Sequence, residues 1–166
     1  MRAEGRVAPT GATEDVVLHG TAIVLGDRAV LLRGPSGTGK SDLALRAMAA
    51  SLGRFSEAAF ELVGDDQVIV RRAGERLVVN AHPQLAGLIE VRGLGILTVP
   101  HRAEAGLVLV ADLVGGGHVE RLPDPWPVTD VLGVPVPVMR VAPFEASAPL
   151  KLALALTQQP WLSVAN

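Results

Sequence analysis

GPSGTGKS, residues 34–41, decides how the rest of this chain is read. The string is Gly-x-x-x-x-Gly-Lys-Ser. Glycines let backbone N–H groups turn inward around an anion without Cβ clashes. A following helix adds positive partial charge at its N-terminus. Lys40 is placed to reach the β- and γ-phosphates of a nucleotide, and Ser41 to ligate Mg²⁺. The motif needs a strand before it and a helix after it, and the flanks supply both. AVLLR (29–33) is an apolar run that suits a buried strand. In SDLALRAMAASLG (41–53), Leu43, Ala47, Met48 and Leu52 recur at helical spacing, and Gly53 offers a stop. Gly34, Pro35, Ser36, Gly37, Thr38, Gly39, Lys40 and Ser41 are therefore the candidate nucleotide-binding residues.

Composition fits one globular domain. The 166 residues are 49% hydrophobic and 19% charged. Aromatics are 3%, with no Tyr, so the core is expected to be aliphatic, and Phe55 and Phe60 are as well read as core as anything else. The only lysines are Lys40 and Lys151, so a lysine inside the glycine loop is no accident of abundance. The net charge is -2 and no basic stripe runs along the chain, which speaks against nucleic acid as a partner. Absence of Cys excludes disulfides and thiolate metal sites. The N-terminus lacks the apolar core of a signal peptide, and no apolar run is long enough to span a bilayer. A soluble cytoplasmic protein is expected.

Outward from the loop, VVLHGTAIVLGDRAVLLRG (16–34) reads as two or three short strands. ELVGDDQVIVRR (61–72) reads as a strand, a Gly-Asp-Asp break and a second strand, with ERLVVN (75–80) returning through a turn at Ala73-Gly74. Within HPQLAGLIEVRGLGILTVP (82–100), GILTV is the strand. AGLVLVADLV (105–114) is another buried strand, followed by a flexible Gly115-Gly116-Gly117 connection and the proline-broken VERLPDPWP (119–127). VPVPVMRVAP (134–143) suits an edge strand, because proline cannot donate to a central ladder. The last helix is expected over 145–158, and residues 1–14 are read as a flexible N-terminus.

A phosphoryl-transfer enzyme also needs a carboxylate to take a proton or orient a nucleophile. Asp65-Asp66 and Asp112 both end apolar runs. Asp112 reads more simply as a turn residue. Adjacent acids repel each other unless a cation or proton is near, so Asp65-Asp66 is the stronger candidate. Glu90 and Arg92 alternate onto one strand face and read, on their own, as a salt-bridged pair. A lone His19, Arg121 or Arg140 would be taken for structural or solvated residues.

Taken in order, LHG, GPSGTGKS, LVGDD, LIEVRGLGI, VERL and VPVP give the chain a resemblance to the catalytic domain of bacterial HPr kinase/phosphorylase. IEVRGLGI is the specific part. The resemblance covers roughly residues 16–145. It implies an α/β single domain over residues 15–166, with a mixed sheet and a phosphate loop between strand and helix, similar to phosphoenolpyruvate carboxykinase. It implies ATP- and Mg²⁺-dependent phosphorylation of a serine on the phosphocarrier protein HPr or a paralogue. The reverse reaction, in which inorganic phosphate attacks phosphoserine to give pyrophosphate, is implied too.

The same resemblance assigns roles. Lys40 would hold the phosphates, Ser41 and Glu90 the Mg²⁺, Asp66 would be the general base and Asp65 its support. His19, placed on the strand before the loop, would be the active-site His, and Arg121 would serve phosphorolysis. The family's late basic loop here reads RVAPFEASAP (140–149), with only Arg140 and Lys151 carrying positive charge nearby. The kinase direction is therefore implied more directly than the phosphorylase direction. The long family members carry an additional N-terminal domain; this chain looks like the short form consisting of the catalytic domain. RFSEAAFE (54–61) reads as an insertion between Lys40 and Asp66. A homo-oligomer, a hexamer in the family, is also implied. Two other readings compete. A small-molecule kinase would need an arginine-rich lid, and no such segment appears apart from Arg71-Arg72 in a strand pair. A nucleotide-sensing module that binds a signalling partner could keep Lys40 and Ser41, but would not need the acids.

Overall fold

The computed structural model describes residues 15–162. The flexible N-terminus expected over 1–14 lies outside the described residues. The strands are β1 (Asp15–His19), β2 (Thr21–Leu25), β3 (Arg28–Arg33), β4 (Phe60–Gly64), β5 (Gln67–Ala73), β6 (Arg76–Ala81), β7 (Leu88–Val91), β8 (Gly95–Thr98), β9 (Glu104–Leu113), β10 (Val128–Val131) and β11 (Val134–Val141). The helices are α1 (Lys40–Ala49) and α2 (Ala148–Gln158).

One mixed sheet runs in the order β1-β5-β6-β9-β3-β2-β4, and β7 and β8 form a separate hairpin. The sheet forks at β9. The first half of β9 pairs antiparallel with β6, at Leu107↔Leu77 to Glu104↔Asn80. Its second half pairs parallel with β11, from Val110↔Val138 to Leu113↔Val141. On the other side β9 runs parallel to β3. The C-terminal ends of β3, β9 and β11 therefore converge, and the chain leaves β3 directly into the glycine loop. In open sheets with parallel strands, that end is where ligands bind.

The continuous apolar runs are explained by cover on both faces. In β3, Val30 and Leu32 face the helices, packing with Leu43, Ala47, Leu152 and Leu156. Ala29 and Leu31 face the other way, toward Val63, Val70, Val79, Val110 and Val138. Alternation thus feeds two cores from one strand. Two bulges interrupt the ladders, one between β2 and β4 at Ala22/Ile23 and one between β3 and β9 at Ala29/Val30. The first lies just upstream of Asp65, where the bend and added twist of a bulge re-aim the side chains of the turn.

Several expectations shift. α1 stops at Ala49, because Ala50 already has extended backbone, at φ -73 and ψ 133. β11 is not an edge: it lies between β9 and β10. Its prolines survive there because Pro135 and Pro137 face only β10, and pairing with β9 starts at Val138. The β5–β6 turn is at Gly74-Glu75 rather than Ala73-Gly74. β7 joins β8 in a hairpin, so IEVRGLGI forms a strand, a turn and the start of a second strand. Part of the Gly115–Gly117 connection is a short 3₁₀ turn, Gly116–His118. α2 begins at Ala148, three residues later than expected, with Pro149 in its first turn. Phe60 is core, whereas Phe55 is 53% exposed. Since Phe60 and Glu61 belong to β4, the excursion read as an insertion closes before them.

Candidate active site

The loop from Gly34 to Gly39 is built on backbone only glycine adopts easily. Gly37 has φ +84 and Gly39 φ +92. A Cβ on Gly39 would lie 2.9 Å from the Phe144 ring, so the position is closed to a side chain on steric grounds as well. Thr38 folds its hydroxyl onto the Pro35 carbonyl at 2.8 Å, which fixes the crest of the loop. α1 starts at Lys40 with no side-chain cap, so its first N–H groups face the loop. Lys40 Nζ donates to the Gly34 and Pro35 carbonyls, at 2.7 and 3.0 Å. The ammonium thus stands within the loop that would hold the phosphates.

Asp65 is the centre of the polar network. It is 6% exposed and sits between β4 and β5. Its carboxylate accepts from Thr21 Oγ1 at 2.6 Å, and from Ser41 Oγ at 2.9 and 3.1 Å. It also accepts from the Glu90 backbone N–H at 3.1 Å. One buried carboxylate therefore joins the start of β2, the first turn of α1 and the middle of β7. Among the described residues no buried side-chain polar atom is left without a partner. Such a network is expensive to break and fixes its members in place.

Asp66 does the opposite. It is exposed and left-handed, at φ +64, a conformation Asp tolerates better than most residues. Its carbonyl accepts from the Gly20 N–H at 3.0 Å. The turn thus separates the two acids, one locked inside and one presented to solvent. His19 ends β1 opposite Gln67, which brings it beside Asp66. It does not lie on the strand entering the loop; that strand is β3. Glu90 is exposed on β7 with its backbone tied to Asp65. Arg92 falls in the turn after β7, and among the described residues no ion pair joins it to Glu90.

Asp112 ends up spoken for. Arg33 grips it with both arms of its guanidinium, Nε to Oδ1 at 2.8 Å and Nη2 to Oδ2 at 3.0 Å. Arg140 lies opposite Asp112 in the ladder and pairs with Glu120 at 2.6 Å. Arg121, next in the same loop, is exposed, and none of the hydrogen bonds or ion pairs found among the described residues ties it to the Asp65 network. Thr21 and Arg33 escape a reading of sequence alone. A hydroxyl opening an otherwise apolar strand, in GTAIVL, is the available signal for Thr21.

The donor set suits a phosphate-bound magnesium. Among the described residues no three His, Asp or Glu side chains converge on a point. Mg²⁺ is usually held by one or two protein oxygens and completed by phosphates and water, which Ser41 and the neighbouring acids could provide. Among the described residues no helix is long and apolar enough to cross a membrane.

Known proteins are similar to this chain in sequence and in fold. The family model described as HPr Serine kinase C-terminal domain matches residues 11–147. The HPr kinase/phosphorylase of Cupriavidus metallidurans is 35% identical over 136 residues, covering 76% of this chain and 40% of the relative. That of Bacillus cereus (strain B4264) is 37% identical over 106 residues, 63% of this chain and 30% of the relative. This chain therefore spans well under half the length of these relatives. The solved Hpr(Ser) kinase/phosphatase of Coxiella burnetii superposes with a TM-score of 0.70, over 91% of this chain and 99% of that one, at 22% identity. The expected α/β fold with its mixed sheet is the fold found.

Proposed function

The chain belongs to the HPr serine kinase C-terminal domain family, and from that premise we propose that it is an ATP- and Mg²⁺-dependent protein kinase acting on a serine of HPr or a paralogue. The observation that carries this reading is the Asp65 network. It ties the hydroxyl of the phosphate loop to the turn that presents a second, exposed acid.

A serine hydroxyl is a weak nucleophile, and a positioned base is worth about 10²- to 10⁴-fold in rate. Asp66 takes the proton from the incoming serine as its oxygen bonds to the γ-phosphorus, and the bond from that phosphorus to the bridging oxygen breaks to release ADP. Lys40 leaves the Gly34 and Pro35 carbonyls and pairs with the β- and γ-phosphate oxygens. Ser41 and Glu90 would hold the Mg²⁺, which would offset charge on the phosphates. Asp65 fixes Ser41 and the β4–β5 turn, so Asp66 needs no search to find its position. Bound Mg²⁺–ATP supplies the phosphoryl group and neutralises the charge that develops on it. His19, opposite Gln67 and beside Asp66, would approach the transferring group from that side. In the phosphorolytic direction, inorganic phosphate attacks phosphoserine, pyrophosphate forms, and protonated Asp66 returns its proton to the departing serine oxygen. Arg121 is assigned to that direction. A cytoplasmic setting and assembly into a homo-oligomer are parts of the same proposal.

Intact-mass spectrometry of HPr, incubated with this protein, ATP and Mg²⁺, tests the proposal. A gain of one phosphate, absent with Lys40→Ala, is expected. No gain with any HPr paralogue, despite measurable ATP binding, would leave a nucleotide-sensing module in place of a kinase.

A further inference from the structure

The phosphate loop explains how a triphosphate is held but not where the nucleoside goes. Phe144 follows β11 and is 71% exposed. Its Cζ and Cε1 lie 2.9 and 3.0 Å from the point a Cβ on Gly39 would occupy. One part of the ring therefore rests on the glycine that caps α1, and the rest faces water beside the loop.

The platform is held firmly. The Glu145 N–H returns to the Ala142 carbonyl at 3.2 Å, which closes the turn around Phe144. Arg46, braced by Asp42 at 2.9 Å, donates to the Pro143 carbonyl and ties this turn to α1. Ala142, just before the turn, is buried. What sets Phe144 apart from the other exposed apolar side chains is its place: an aromatic on a fixed backbone at the mouth of an anion site, with part of its ring open to a ligand.

The other aromatics do not serve this end of α1. Phe60 is core, and Trp126 packs edge-on against Trp161 at 5.8 Å. Phe55 lines a groove of about 540 Å³ at the far end of α1, with Ala50 and Leu52.

Resting on the nucleotide-binding reading, we propose that Phe144 is the stacking platform for the base of the bound nucleotide, with purine nucleoside triphosphates as the ligand class. Stacking on one aromatic face is tolerant of base identity, since every base has a π-face, and purines offer the larger one. The phosphates are selected by the loop and the base by the ring. Phe144 thus sets which polyphosphates bind tightly, and takes no part in the chemistry.

The test is calorimetric titration of the wild type, Phe144→Ala and Phe144→Trp with Mg²⁺–ATP and with Mg²⁺–inorganic tripolyphosphate, which has no base. Phe144→Ala is expected to weaken ATP about tenfold, to leave tripolyphosphate unchanged, and to be rescued by Trp. Equal weakening of both ligands would mean that the ring only props the loop, and would overturn the proposal. Unchanged ATP affinity would overturn it as well; if the KM for HPr then rose, the ring would belong to the protein-substrate surface. A wild type that binds neither ligand would overturn the nucleotide reading itself, and this proposal with it. Because Phe144 is largely exposed, the variants are expected to fold.

Discussion

Ser41 Oγ stands 2.9 Å from one oxygen of Asp65 and 3.1 Å from the other, across 24 residues of sequence. The hydroxyl that begins α1 and the buried acid after β4 are thus a single unit. Asp65→Ala would leave the fully buried Thr21 hydroxyl and the Glu90 N–H without their acceptor. An unsatisfied buried group costs about 1–3 kcal/mol, so this variant should lose about 2–3 kcal/mol of stability. For a domain of this size the melting midpoint should fall by about 5–10 °C. Thermal denaturation with and without Mg²⁺–ATP measures it. A midpoint within a degree of wild type would show that the network contributes nothing to the fold.

Asp66 should behave in the opposite way. It is exposed, and its left-handed backbone suits Asn as well as Asp. Asp66→Asn should therefore change stability by less than about 0.5 kcal/mol. HPr phosphorylation, by contrast, should slow at least about 10²-fold, with ATP affinity retained. Steady-state kinetics beside a denaturant melt separates the two. Full turnover in a folded Asn variant would remove Asp66 from the role of base.

Gly39 carries two constraints at once, its φ of +92 and the Phe144 ring 2.9 Å from a Cβ. A left-handed Ala costs about 1–2 kcal/mol on backbone grounds alone. Gly39→Ala should cost more than that, because the ring must also move. Adding Phe144→Ala to it should recover the steric share and leave the backbone share, so the two substitutions should be non-additive. A double-mutant cycle on unfolding free energy decides it. Strict additivity would mean that the ring yields freely.

Much of this is legible in sequence because the signals are local. The glycine loop, its entering strand and its helix lie within one short span, and the Gly-Asp-Asp break marks a turn by its own chemistry. The resemblance adds Glu90, which spacing alone assigns to a salt bridge with Arg92. That pairing fails because Arg92 is already in the turn. What sequence does not show is long-range partnership. Arg33 and Asp112 are 79 residues apart, and nothing local says that one neutralises the other. The Phe144 contact with Gly39 is equally remote. β11 is misplaced at the edge for a related reason. Proline bars a strand from a ladder only along the stretch that pairs, and the stretch that pairs with β9 begins after Pro137.

The Arg33–Asp112 pair gives the last test, because it bears on which acid does the chemistry. Asp112 lies one residue before the end of β9, opposite Arg33 on the strand that feeds the loop, a position from which it could face a metal. Arg33 instead holds it by two hydrogen bonds, with both side chains about a third exposed. A pair so open to solvent is worth about 0–1 kcal/mol, so Asp112→Asn should cost little stability and should slow turnover far less than Asp66→Asn does. Arg33→Met is different. It leaves an unpaired carboxylate next to a site built for anions, and nucleotide affinity should weaken about fivefold. Removing that carboxylate as well, in Arg33→Met with Asp112→Asn, should bring the affinity back. Titration with Mg²⁺–ATP reads all three variants. If the double variant stayed as weak as Arg33→Met, Arg33 would be acting on the phosphates directly; if Asp112→Asn alone stopped turnover in a folded protein, Asp112 would take the part in catalysis proposed above for Asp66.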